Sequence, residues 1–155
     1  MATDPFLDED SRVLTPQAFD FMLQNELKRA MRSQNFLTLL AIHATPRAAH
    51  LERLQVAREI ARVISREVRE TDLLSHTPDG RLSVVLLDAD LEHSMGVVER
   101  LVTRFEQYEF TTPTAISVGA ACCPTHGADV DSLRRAAESR TVHPGRQRGS
   151  ASHSQ

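Results

Sequence analysis

Two runs of strand-forming residues, Asp72 to Ser75 and Leu82 to Leu87, stand on either side of a Pro78-Asp79-Gly80 turn, and this pair constrains the fold more than any other stretch. Pro and Gly at those offsets favour a tight reversal, so the spacing predicts a hairpin. A long segment of helical period lies on each side of it. From Arg47 to about Glu70, Leu54, Ala57, Ile60 or Ala61, Ile64 and Val68 recur at helical spacing, while Arg and Glu fill the other face. This pattern predicts the longest helix, with Arg69 in its last turn. Downstream, Asp88 or Asp90 caps a helix whose inward stripe is Leu91, Met95, Val98, Leu101 or Val102, and Phe105.

The remaining elements complete an alternation. Thr15 before Pro16 reads as an N-cap with proline in the first turn, and Phe19, Leu23, Leu27 and Ala30 mark the buried face of a helix reaching about Ser33. Phe36 to Ile42 and Thr114 to Cys122 read as strands. Gly127-Ala128-Asp129 opens a last short helix with Leu133 and Ala136 inward. A hairpin between βα elements implies an α/β (α+β) fold class, a mixed central sheet covered by helices, as in ferredoxin-like and polymerase-palm folds. At 155 residues the chain fits one domain, expected over residues 12–140. Residues 1–11, rich in acid, are expected to be a flexible segment. Residues 141–155, rich in Pro, Gly, Ser, His and Arg, are expected to be a disordered tail.

Composition removes several function classes. The longest apolar run is far too short to span a membrane, and the first residues have neither a basic nor an apolar signal region, so a cytoplasmic location is expected. A formal charge of -3 argues against a nucleic-acid partner. Cys122 and Cys123 are adjacent, so on a strand they face opposite sides and suit neither a disulfide framework nor a metal site. The histidines at 43, 50, 76, 93 and 126 form no HxH or HxxxH pair, and no metal or cofactor is expected.

Order and spacing together carry a resemblance. Arg69-x-x-Asp72 precedes the hairpin, a Val84-Val85-Leu86-Leu87 strand follows, and then a helix containing Val98-Glu99-Arg100-Leu101. Ala115-Ile116-Ser117-Val118-Gly119-Ala120 and Pro124-x-x-Gly127 precede the final helix. In this combination, over roughly residues 11 to 140, the chain resembles the GGDEF domains of the diguanylate cyclase family. The resemblance implies a nucleotidyl-cyclase-like palm fold. It also implies a catalytic site that this chain lacks. In that family carboxylates in the Gly-Gly-(Asp/Glu)-Glu-Phe turn and at the end of the first strand hold two divalent cations on GTP. Here the turn reads Asp79-Gly80-Arg81-Leu82-Ser83, with Leu82 at the place of the metal-binding Glu, and His43 replaces the strand aspartate. A register slipped by one residue supplies no carboxylate either. The family's guanine-binding segments and its late lysine are also missing, the last pattern being reduced to Ala136-Ala137-Glu138-Ser139-Arg140.

What the resemblance retains is the family's inhibitory product site, which implies cyclic di-GMP binding by Arg69, Asp72 and Arg100. A guanidinium donates two parallel hydrogen bonds to guanine O6 and N7 or to phosphate, and a carboxylate accepts from the guanine N1–H and N2–H edge. With 17 Arg and 10 Asp, an Arg-x-x-Asp arises about once by chance, so position rather than occurrence carries the assignment. The expectation is therefore a non-enzymatic effector with no catalytic residues, a downstream protein partner, and a homodimer bridged by the ligand. Two alternatives stand beside it: a ligand-independent interaction scaffold, and GTP binding without turnover.

Overall fold

Thr15 opens the first helix by accepting a hydrogen bond from the Ala18 amide at 3.2 Å, and Pro16 supplies the first helical position. Helix α1 runs Pro16–Ser33 and buries Phe19, Leu23, Leu27 and Ala30, the stripe read from the sequence. In this computed structural model, which describes residues 12–46, 50–77 and 80–144, the following elements are β1 (Leu37–Pro46), α2 (His50–Glu67), β2 (Leu73–His76), β3 (Arg81–Leu87), α3 (Leu91–Gln107), β4 (Thr114–Cys123), α4 (Val130–Ser139) and β5 (Thr141–His143). Residues 1–11, Arg47, Pro78 and Asp79 of the hairpin turn, and the tail from residue 145 on lie outside the described residues.

The sheet has the order β2-β3-β1-β4-β5, and every adjacent pair of named strands is antiparallel. This differs from the mixed pairing expected from βα connections, and the crossovers explain it. Helix α2 carries the chain from β1 to β2 in a parallel sense but leaves a gap that β3 fills. Helix α3 does the same from β3 to β4 around β1. The two crossover units interlock, so parallel strands are never neighbours. The one parallel contact among the described residues is an isolated bridge of Leu14 to Ser75.

Pleating sorts the side chains to two faces. Leu40, Ile42 and Ala44 of β1, Leu82, Val84 and Leu86 of β3, and Val118 and Ala120 of β4 pack with α2 and α3. Leu37 and Leu39, Val85, and Ala121 and Cys123 pack with α1 and α4. Each fully buried Leu, Ile or Phe contributes about 1.5 to 3 kcal/mol relative to exposure. Gly119 lets α4 lie directly on β4, since a Cβ there would stand 1.9 Å from the Ala137 carbonyl oxygen. Consequently Leu133 and Ala137 are the buried pair of α4, and Ala136, expected inward, is only half-buried. On α3, capped by Asp90, Ser94 is fully buried and Met95, expected inward, packs half-buried against the same core.

Strand β1, read as ending at Ile42, runs on to Pro46, and two further boundaries depart from the sequence reading. Arg69 is not in the last turn of α2, which ends at Glu67. In a continued helix its amide would bond the Ser65 carbonyl. Instead Asp72 Oδ2 accepts from the Arg69 amide at 2.9 Å, and the Ser65 carbonyl accepts from Arg12 Nη2 at 3.3 Å. At the other end of the chain Thr141–His143, expected in the disordered tail, form β5 against Val118 and Gly119 of β4. The domain therefore extends past Arg140. Among the described residues no helix is long and apolar enough to cross a membrane.

Candidate functional site

The segment leaving α2 is organised around one carboxylate. Asp72 has a side chain only 3% exposed. Its Oδ2 takes the Arg69 amide and its Oδ1 takes the Leu87 amide at 3.1 Å, fastening the end of α2 to the end of β3. A buried carboxylate that accepts two backbone donors is held in place and orients its loop. The guanine-edge contact expected of Asp72 thus has no solvent-facing oxygen to use in this conformation.

Arg69 occupies the surface of that loop. Its Nη2 lies 3.6 Å from Asp72 Oδ1 and donates to the Leu87 carbonyl, while 61% of the side chain is exposed. Arg12 donates through Nη1 to the Arg69 carbonyl at 2.8 Å, closing the loop from the other side. Arg100 reaches the same segment from α3, with Nε 3.6 Å from Glu67 Oε1 and Nη2 3.5 Å from the Glu67 carbonyl. Arg104, one turn later on α3, pairs with Glu67 Oε2 at 2.9 Å. The three residues singled out in the sequence are therefore brought to one place, residues 67–72 and the facing side of α3. Arg69 and Arg100 offer exposed guanidinium edges, and Asp72 holds the first of them. Such an arrangement suits planar, anion-bearing ligands.

Sequence reasoning missed Arg12, Glu67 and Arg104. Arg12 acts across a separation of 57 residues, which no local pattern encodes. The i,i+4 spacing of Arg100 and Arg104 signals a cationic face, but only helix packing supplies Glu67 as its counter-ion.

At the opposite end of the hairpin the pleat decides which residues meet. His43 of β1 pairs with Arg81 of β3 and with Ser117 of β4. Leu82 pairs with Ile42, is 1% exposed, and belongs to the core beneath α2 and α3. Leu82 and His43 thus face opposite sides of the sheet, and Leu82 is a core residue. Arg81 shares a face with His43 and lies 3.6 Å from Glu138 of α4. Gly80, at φ +88, turns the chain here and packs against the Ala44 carbonyl. Among the described residues no three His, Cys, Asp or Glu side chains gather to hold a metal ion; Asp79 lies outside them.

The two cysteines face opposite sides as expected, Cys122 near Thr38 and Cys123 with Sγ 3.8 Å from Met31 Sδ. Both are free, and burial pushes both thiols up from their ordinary pKa, which leaves them protonated and inert.

The fold recurs in solved structures. The GGDEF domain of YfiN (TpbB) from Pseudomonas aeruginosa superposes with a TM-score of 0.73 at 20% identity, over 83% of this chain and 87% of that one. The fold is that of a GGDEF domain. A DGC protein from Thermotoga maritima gives 0.71 at 18% identity, over 84% of this chain and 99% of that one. The GGDEF domain of DgcB from Caulobacter crescentus, solved in complex with c-di-GMP, gives 0.69 at 14% identity over 88% of each chain. No protein-family model and no curated protein sequence matches the chain. The likeness is therefore one of GGDEF architecture, carried at low identity.

Proposed function

We propose that this chain is a GGDEF-fold signalling domain that binds cyclic di-GMP without synthesising it, and that it acts in the cytoplasm by changing a contact with a protein partner. The observation that carries the reading is the pair of exposed guanidinium groups, Arg69 and Arg100, both set against residues 67–72 by buried or half-buried carboxylates. Arg69 and Arg100 contact guanine and phosphate, and Asp72 is a positioning residue that fixes the Arg69 loop. Two intercalated nucleotides bridging two protein molecules fit the same surface. The absence of synthesis rests on the hairpin mouth, where an imidazole and a guanidinium share the face on which the family's chemistry needs hard oxygen ligands.

Calorimetry tests the reading on the wild type, Arg69→Ala and Arg100→Ala, with cyclic di-AMP alongside. The expected dissociation constant is on the order of micromolar or tighter, equivalent to about -8 kcal/mol. Losing a charge-assisted bidentate contact at Arg69 weakens binding on the order of ten- to a hundredfold. Equal heats for the three proteins, or none for the wild type, overturn it. Incubation with GTP and Mn²⁺ is expected to yield no cyclic dinucleotide above the blank.

One observation favours the scaffold alternative. Arg69 already bonds the Leu87 carbonyl and Arg100 already pairs with Glu67, so the network is complete as it stands. A scaffold of this kind gives no heat with any dinucleotide and retains its partner when Arg69 is truncated.

A further inference from the structure

Large apolar side chains left in solvent are concentrated on one helix. Of the five among the described residues, Phe21, Met22 and Met31 lie on α1, Phe36 lies in the turn after it, and Val142 lies on β5. Phe21 is 65% exposed and Met31 is 48% exposed. With Gln24 and Lys28 they follow the three-four-three spacing of a single helix stripe, roughly a third of a turn around α1 from the inward stripe of Phe19, Leu23, Leu27 and Ala30. The stripe borders an open groove whose other wall is the start of α4, with Asp129 and Asp131.

The order of residues along this stripe is self-complementary under a two-fold axis. Laying a second α1 antiparallel so that Phe21 of one copy meets Met31 of the other also sets Gln24 against Lys28 and Asp20 against Arg32, twice over by symmetry. A parallel arrangement would stack Lys28 on Lys28. Asp20 bonds Arg134 of its own chain at 2.6 Å through Oδ1, and its carboxylate retains acceptor capacity for a second cation. Asp129 and Asp131 add negative charge to the groove into which the second copy brings Lys28 and Arg32. We propose that the outward stripe of α1 is a docking surface for a second copy of this chain, forming an antiparallel, two-fold helix pair anchored by Phe21 and Met31. A two-fold contact is isologous, so one patch that matches itself is sufficient. The surface lies on the face of the sheet opposite α2 and α3, and the pair forms without any nucleotide.

Sedimentation velocity on the nucleotide-free full chain, from about 10 to about 500 µM, tests this. A single helix pair is small for a stable interface, so the expected dissociation constant is on the order of tens of micromolar. Phe21→Glu weakens dimerisation at least tenfold without lowering the thermal midpoint, because its side chain is already largely in solvent, and Met31→Glu weakens it as much while also lowering the midpoint, because its sulfur lies 3.8 Å from that of buried Cys123. Arg69→Ala leaves dimerisation unchanged, which separates this surface from the proposed nucleotide site. Geometry is read by oxidising a mixture of Gln24→Cys and Lys28→Cys proteins, for which the antiparallel register yields the mixed disulfide in preference to either homodimer. A wild type that stays monomeric at the highest concentration, a dimer indifferent to Phe21→Glu, or a predominance of like-with-like disulfides overturns the proposal.

Discussion

The two ends of the β2–β3 hairpin place charged groups in opposite ways. Where α2 leads into β2, a nearly inaccessible carboxylate spends both oxygens on backbone amides, and the arginines around it are held by carbonyls and by Glu67. At the mouth of the hairpin, His43 and Arg81 are exposed, and Arg81 reaches Glu138 of α4 at 3.6 Å between side chains about half in solvent. A buried acceptor with two donors is costly to disturb, whereas an exposed pair contributes about 0 to 1 kcal/mol. The contrast teaches where this fold invests its polar chemistry. The α2 end is built to hold a fixed arrangement of guanidinium groups, and the mouth is left as surface.

Substituting one residue at each end breaks or sharpens that contrast. Asp72→Ala leaves the Arg69 and Leu87 amides without acceptors, at about 1 to 3 kcal/mol each. The expected loss is about 2 to 5 kcal/mol, read by urea denaturation. Arg81→Ala is expected to change stability by no more than about 0.5 kcal/mol. Comparable losses at the two ends would show that the mouth is as highly built as the α2 end.

Much of the scaffold was legible because its signals are local. The Thr15 cap, the Pro16 start and the stripe of α1 all lie within one helix, and the hairpin carries its own turn residues. What escaped depends on distant partners or on pleat parity. Whether Leu82 or Arg81 faces the same side as His43 follows from a single-residue register that only the β1 pairing fixes. The Arg69-x-x-Asp72 pair was visible, but the Leu87 amide that donates to the Asp72 carboxylate was not. Strand β5 left no trace, since three residues with Thr141 and Val142 exposed have no apolar period. That strand supports the sheet end near the mouth. Truncation after Arg140 is therefore expected to lower the thermal midpoint by a few degrees, about 1 kcal/mol, and truncation after Pro144 by less than a degree or two. Equal midpoints for the two truncations would return the boundary to Arg140.

The smallest effect concerns His126, a surface analogue of Asp72. Its Nδ1 accepts from the Cys122 amide at 2.9 Å, and its own amide donates to the Cys122 carbonyl at 2.7 Å, closing the turn between β4 and α4. Partial burial, and then the charge of Arg140, lower its pKa from the ordinary 6.5. The neutral ring is the form that can accept this bond. Because the folded-state value lies below the unfolded one, the contribution is fully present above about pH 6.5 and is lost as pH falls through the folded-state value. His126→Asn keeps a side-chain acceptor that does not titrate in this range. Between about pH 7.5 and pH 5 the wild-type midpoint should fall further than that of His126→Asn, by a degree or two. Identical slopes would mean that the turn holds without the ring, and that the buried carboxylate at Asp72 has no working counterpart at the end of β4.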